Sequence, residues 1–214
     1  MTHYPSQQIG RVLQLLLGIG LALFVLVAGF TVVYAGSYDF YLRYLSTFDT
    51  AISTFGMILY YICVVLFLIW IVKVHAALRQ QFMDYPIRTA GAIVRMLPLI
   101  QIWGIGSTFS TISGYFYARQ EIHPEARRIQ RLIVPLYCVI FIGNAMNRLV
   151  NGASYSESLD TLLLISCILD ALSMLVFYVL ARAINNGLST LYSNRTQSSE
   201  RLPETDEPNA TSAV

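Results

Sequence analysis

Four stretches of the chain are apolar almost without interruption: Val12 to Tyr34, Ile52 to Val72, Leu132 to Val150 and Thr161 to Ala181. Crossing a hydrocarbon layer of about 30 Å takes about 20 such residues in a helix, so each stretch predicts one transmembrane span. The first two contain no charged residue. The third carries Pro135, Asn144, Asn147 and Arg148, and the fourth carries Asp170, so this pair is less oily. The first run is too long for the core of a secretory signal and shows no small-residue cleavage site, which predicts a retained helix.

A fifth stretch, Met96 to Phe116, needs a separate argument. Pro98 cannot donate the backbone hydrogen bond that a continuing helix requires, so a break is expected near it. From Ile102 to Tyr117 there remain about 16 residues, about 24 Å of helix, which is short for an upright crossing. Ile102, Ile105, Phe109, Ile112 and Phe116 share one face, while Gly104, Ser107, Thr111 and Gly114 occupy another, and neither face is charged. A helix lying in the headgroups puts Lys or Arg on its polar face, whereas small uncharged residues let a second backbone come close. The pattern favours a re-entrant or half-buried helix over about 99–117, packed through Gly104, Ser107, Thr111 and Gly114 with its apolar face toward lipid. A helix floating in the interface and a fifth span are the alternatives.

Charge placement bears on the last of these, because short cytoplasmic loops collect Lys and Arg. If the fifth stretch crossed, the basic residues would divide six to eight, with no asymmetry. If it does not, every basic residue except Arg43 and Arg148 falls on one side, which is 12 of the 14. The reading is therefore a four-span domain over residues 1–192 with both termini cytoplasmic. Residues 193–214 are polar, contain proline and lack periodicity, so a disordered cytoplasmic tail is expected there. An LPET tetrapeptide at Leu202 to Thr205 is followed by Asp206 and no apolar tail, which argues against a sortase signal. Between the first two spans, Tyr38, Phe40, Tyr41, Tyr44 and Phe48 suit an aromatic belt at headgroup level.

Composition agrees with this picture: 56% of residues are hydrophobic, 12% are charged and the mean hydropathy is +0.58, against about 25% charged in an ordinary water-exposed domain. A net charge of +2 gives no case for nucleic acid. Cys63, Cys138 and Cys167 lie in apolar runs without metal-ligand or C-x-x-C spacing and read as small buried hydrophobes. His3, His75 and His123 form no H-x-x-x-H or H-E-x-x-H pair, and His75 and His123 read as interface residues beside basic loops. The chain lacks the nucleophile-elbow, phosphate-loop and dinucleotide fingerprints. No metal, cofactor or catalytic residue is expected.

The order FLIWIVKVHAALRQ at the end of a span, then YPI, then AIVRMLPLIQIWGIGSTFSTIS, then two more spans, resembles the bacterial membrane proteins of the domain of unknown function 4328 family. That family has a span ending in an apolar–Trp pair followed by basic residues, then a Pro and another apolar–Trp pair before a short helix. The matching elements are Trp70 with Lys73 and Pro98 with Trp103, and the similarity covers about residues 55–182. The chain departs from the pattern after Trp103, where Gly104 and Gly106 stand in place of a second Pro. The resemblance implies a topology and a bacterial cytoplasmic (inner) membrane; it implies no activity.

The sharpest polar signal is Asp170, about 15 Å into its span and so near the midplane. A carboxylate at that depth costs about 2.5–3.5 kcal/mol on insertion scales, so it should find partners inside the bundle. An interhelical clasp of Asp170 with Asn144 and Gln101 is expected, with Asn147 close to one turn further along the same face; a polar path for a proton or solute is the competing use. The expected role is that of a non-enzymatic structural, regulatory or partner-binding subunit in contact with the bilayer, with homo-oligomers or other membrane proteins as partners. The alternative is a small transporter or channel subunit using Asp170.

Overall fold

The structure, a computed structural model, describes residues 5–87, 91, 101–152 and 159–200, with side chains described for 6–87, 91, 104–152 and 161–194. Among these residues there are five principal helices and no strand. Helix α1 (Pro5–Gly36) begins at a proline, which loses nothing in a first turn because that N–H has no helical partner, and ends at a Gly-Ser pair. Ser37 alone interrupts the helix there, with φ −153° and ψ 84°. The connection between the first two spans is helical: a turn at Tyr38–Phe40 and a π-helical turn at Tyr41–Leu45 lead directly into α2 (Ser46–Gln81). The aromatic side chains there are displayed outward, with Phe40, Tyr44 and Phe48 exposed, and Tyr34 meets Tyr38 and Tyr41 edge-on at 5.4 and 5.2 Å. Helix α2 stops where Phe82 turns extended, four residues before Pro86.

Helix α3 (Gln101–Tyr117) follows, then a single 3-10 turn at Gln120–Ile122, then α4 (His123–Gly152) and α5 (Leu159–Glu200). Pro135 sits inside α4 on its exposed side, where the helix continues through it. Helices α1, α2, α4 and α5 are each long and apolar enough to cross a membrane; α3 is not among them. Such a set suits a multi-pass protein and suggests a membrane location. The helical 193–200 segment departs from the tail expected there. Leu180, Ile184, Leu188 and Leu191 keep a buried helical stripe running past the last span, so α5 continues to Glu200.

Helix α1 lies between α2 and α5, α5 lies between α1 and α4, and α3 rests on α4. The packing is uneven along the helix axes. Trp70, Leu78, Phe109, Phe116, Ile129, Leu180, Ile184 and Leu188 are fully buried, and all belong to one end of the bundle. Toward the other end, α1 beyond Gly20, α4 beyond Leu136 and α5 before Met174 contain no buried side chain among the described residues. In α1, α4 and α5 only 11% of the most apolar stretch is buried within the chain. The well-packed end is also the basic one: Arg11, Lys73, Arg79, Arg119, Arg127, Arg128, Arg131 and Arg182 gather there. Among the described residues Arg43 and Arg148 alone are at the other.

Helix α3 explains much of that asymmetry. Phe109, Ile112 and Phe116 are 0% exposed and Ile105 is 3% exposed, so the apolar face is the one seated in the bundle. Phe109 faces Phe67 of α2 at 6.4 Å, and Phe116 presses on Gly187 of α5. The hydroxyl of Tyr137 on α4 accepts from the backbone N–H of Gly106 at 2.9 Å, and Ser113 donates to the Ala126 carbonyl at 3.0 Å. This reverses the expected orientation. Gly104 is buried and Thr111 half-buried, but Ser107 and Gly114 are exposed, and a Cβ on Gly114 would meet nothing within 4 Å. Large side chains fill the space between α3 and its neighbours, and the close approaches are made at Gly106 and Gly187. The break expected at Pro98 and the role given to Trp103 lie outside the described residues and side chains.

Candidate functional site

Two polar groupings stand out, one at each end of the bundle. At the packed end, the indole Nε1–H of Trp70 donates to Asn185 Oδ1 at 3.0 Å. Asn185 is 8% exposed and lies against Gly10 of α1, where a Cβ would fall 2.3 Å from the amide. The amide nitrogen of Asn185 has no hydrogen-bond partner among the described residues. This three-helix contact ties α1, α2 and α5 together where each is most buried. Close by, His75 Nδ1 and the Tyr85 hydroxyl are 2.5 Å apart, and both residues are buried. His75, expected beside the basic loops, is enclosed by protein, because the 82–87 segment folds back over the end of α2 and brings a phenol to it. His123 is half-buried, its Nε2–H donating to the Tyr117 carbonyl at 2.7 Å.

At the loose end lies a seam of polar side chains set in apolar helices. Thr31 of α1 and Cys167 of α5 are in contact at 3.8 Å. Ser166 donates to Asn147 Oδ1 of α4 at 3.2 Å. Asp170, one turn beyond Ser166, is half-buried. The expected clasp of Asp170 with Asn144 is not made among the described residues. Asn147 meets α5 through Ser166, but Asn144 is exposed and neither it nor Asp170 forms a side-chain hydrogen bond among the described residues. Asn144 and Asn147 are about 60° apart around α4, and the one turned toward α5 is Asn147. The Gln101 side chain lies outside the described residues.

Of the three cysteines, Cys63 is buried, Cys167 half-buried and Cys138 exposed on α4, so the buried role expected for all three fails at Cys138. No grouping of three His, Cys, Asp or Glu suited to a metal occurs among the described residues. The Trp70–Asn185 contact was missed at sequence level; the Asn-Asn-Gly run at 185–187, polar yet in step with the Leu180 and Ile184 stripe, is the signal that points to it. Comparison with family profiles, with curated proteins and with solved structures gives no match.

Proposed function

We propose that this protein is a four-span, non-enzymatic subunit of a bacterial cytoplasmic membrane that works by binding another membrane chain, a second copy being the simplest partner. The observation that carries this reading is the loose end of the bundle, where Asn144 is exposed and Asp170 half-buried, neither with a side-chain hydrogen bond among the described residues. In hydrocarbon, such groups are stabilised when a neighbouring helix supplies partners, and polar side chains are a recurrent means of holding membrane helices together. The packed end, held by Trp70, Asn185 and α3, gives a stable base from which that surface is displayed. The positive-inside tendency puts the basic end, and with it both termini, in the cytoplasm. The likeness to the domain of unknown function 4328 proteins, carried by the motifs around Trp70 and Pro98, fits the same topology.

The test is association in detergent and in vesicles. The wild-type chain should form a defined oligomer or co-purify with a stoichiometric membrane partner. Asn144→Leu and Asp170→Leu should each loosen that association about threefold, the equivalent of the about 0.6 kcal/mol that a membrane hydrogen bond averages. A strictly monomeric, partner-free wild type would overturn the reading. The second reading, a transport path through Asp170, draws on that half-buried residue sharing a face of α5 with Ser166 and Cys167. It requires Asp170→Asn and Asp170→Leu to abolish flux equally while leaving association intact.

A further inference from the structure

The start of α4 holds an open cleft of about 430 Å³ lined by Gln120, His123, Pro124, Arg127, Arg128 and Arg131. We propose that this cleft binds the phosphate of an anionic phospholipid from the leaflet at the basic end of the bundle. The inference rests on the membrane reading above but not on the partner surface at the opposite end.

Three guanidinium groups within five residues make a strong positive focus, and the nearby carboxylates do not cancel it. Glu121 is engaged by the Asn194 amide on α5, and Glu125 is held by Arg128 at 3.4 Å. Arg127 and Arg131 are exposed and form no ion pair among the described residues. Spaced i, i+4, their side chains rise from the same face of the helix, about 5–6 Å apart at Cβ. Two planar forks at that separation can grip one phosphate with several charge-assisted hydrogen bonds. The wall formed by His123 is fixed, since its ring is tied to the Tyr117 carbonyl.

A lipid, rather than a free anion, is indicated by what lies directly along the helix. Arg131 is the last charged residue before the apolar run that starts at Leu132. Cys138 and Ile142 project within about 20° of the Arg131 direction, and Val134, beside them, is 67% exposed. Cys138 and Ile142 are likewise exposed. A headgroup seated in the cleft would therefore lay its acyl chain along a ready apolar track, and basic clusters at this depth are attracted to anionic leaflets.

The experiment uses the purified full-length chain in a neutral detergent, with binding and thermal stability followed as phosphatidylglycerol, phosphatidylcholine of the same chain length, or inorganic phosphate is added. Phosphatidylglycerol should bind at least about tenfold more tightly than phosphatidylcholine, and inorganic phosphate should give no comparable stabilisation. The double variant Arg127→Gln/Arg131→Gln should bind phosphatidylglycerol about thirty-fold more weakly, as expected for two cations contributing at a membrane surface. Arg79→Gln/Arg182→Gln, which removes two exposed cations from the same end but outside the cleft, should change binding less than about twofold. Glu125→Gln, which frees Arg128 and removes a negative charge, should tighten it about fivefold. Equal binding of both lipids, an equal response to inorganic phosphate, or a double variant indistinguishable from wild type would each overturn the proposal. Because the titration is done in detergent, it stands or falls separately from the sidedness and partner assays.

Discussion

Gly187 and Gly114 are both helical glycines in an apolar setting, yet their surroundings are opposite. A Cβ on Gly187 would come within 2.3 Å of Phe116 Cε2, and Phe116 is 0% exposed and has nowhere to go. Gly187→Ala should therefore lower stability by about 1–3 kcal/mol, the usual cost of overpacking a closed contact. At Gly114 the added methyl meets open space. Gly114→Ala should leave stability unchanged or raise it by up to about 1 kcal/mol, since alanine is the better helix former. Thermal unfolding of the two variants in the same detergent separates them, and equal losses would contradict the packing described. Little of this was legible beforehand. Asp170 and Asn147 could be picked out because a polar residue in an apolar run is visible at one position. Trp70 and Asn185 could not be paired, being 115 positions apart on helices whose relative rotation no local pattern specifies.

At the scale of elements, the four long helices were readable because apolar length alone defines them, whereas the facing of α3 was not. Both of its faces are uncharged, so hydropathy gives no direction, and whether large or small residues turn inward depends on the volume its neighbours leave. The structure places Phe109 inside against Phe67 and leaves Ser107 outside, its hydroxyl donating only to the Gly104 carbonyl at 3.2 Å. Phe109→Ala should consequently open a cavity and destabilise by up to about 3–5 kcal/mol, with the lower part of that range expected where lipid can relax around the site. Ser107→Lys should be tolerated, its amine reaching the headgroup region by extending along the helix. Loss of folding on Ser107→Lys with a benign Phe109→Ala would restore the small-face packing. The same reasoning explains α5: apolar content ends near Ala181, but the i, i+4, i+8, i+11 series Leu180, Ile184, Leu188, Leu191 continues. Periodicity, read past the span, carries the helix further than composition does.

For the whole molecule, the contacts and the charge pattern converge from independent directions. Trp70 to Asn185, Ser113 to Ala126 and Glu121 to Asn194 bring the starts of α1 and α4 and the far parts of α2 and α5 to one end, and that end is where the basic residues lie. An odd number of crossings is incompatible with this arrangement, since it would send α4 and α5 the other way and divide the arginines. Helix α3 sets Gly106, near its start, against Tyr137 and reaches Ala126, near the start of α4, with Ser113, so it runs antiparallel to α4 and ends at the basic end. Reporter fusions after Gln80, Gln120 and Asn194 should therefore all give the cytoplasmic signal, and a fusion after Gly152 the external one. The Gln120 fusion is decisive, because it alone follows α3 and precedes α4. An external signal there, with Gln80 still cytoplasmic, would make α3 a crossing helix and remove the four-span arrangement.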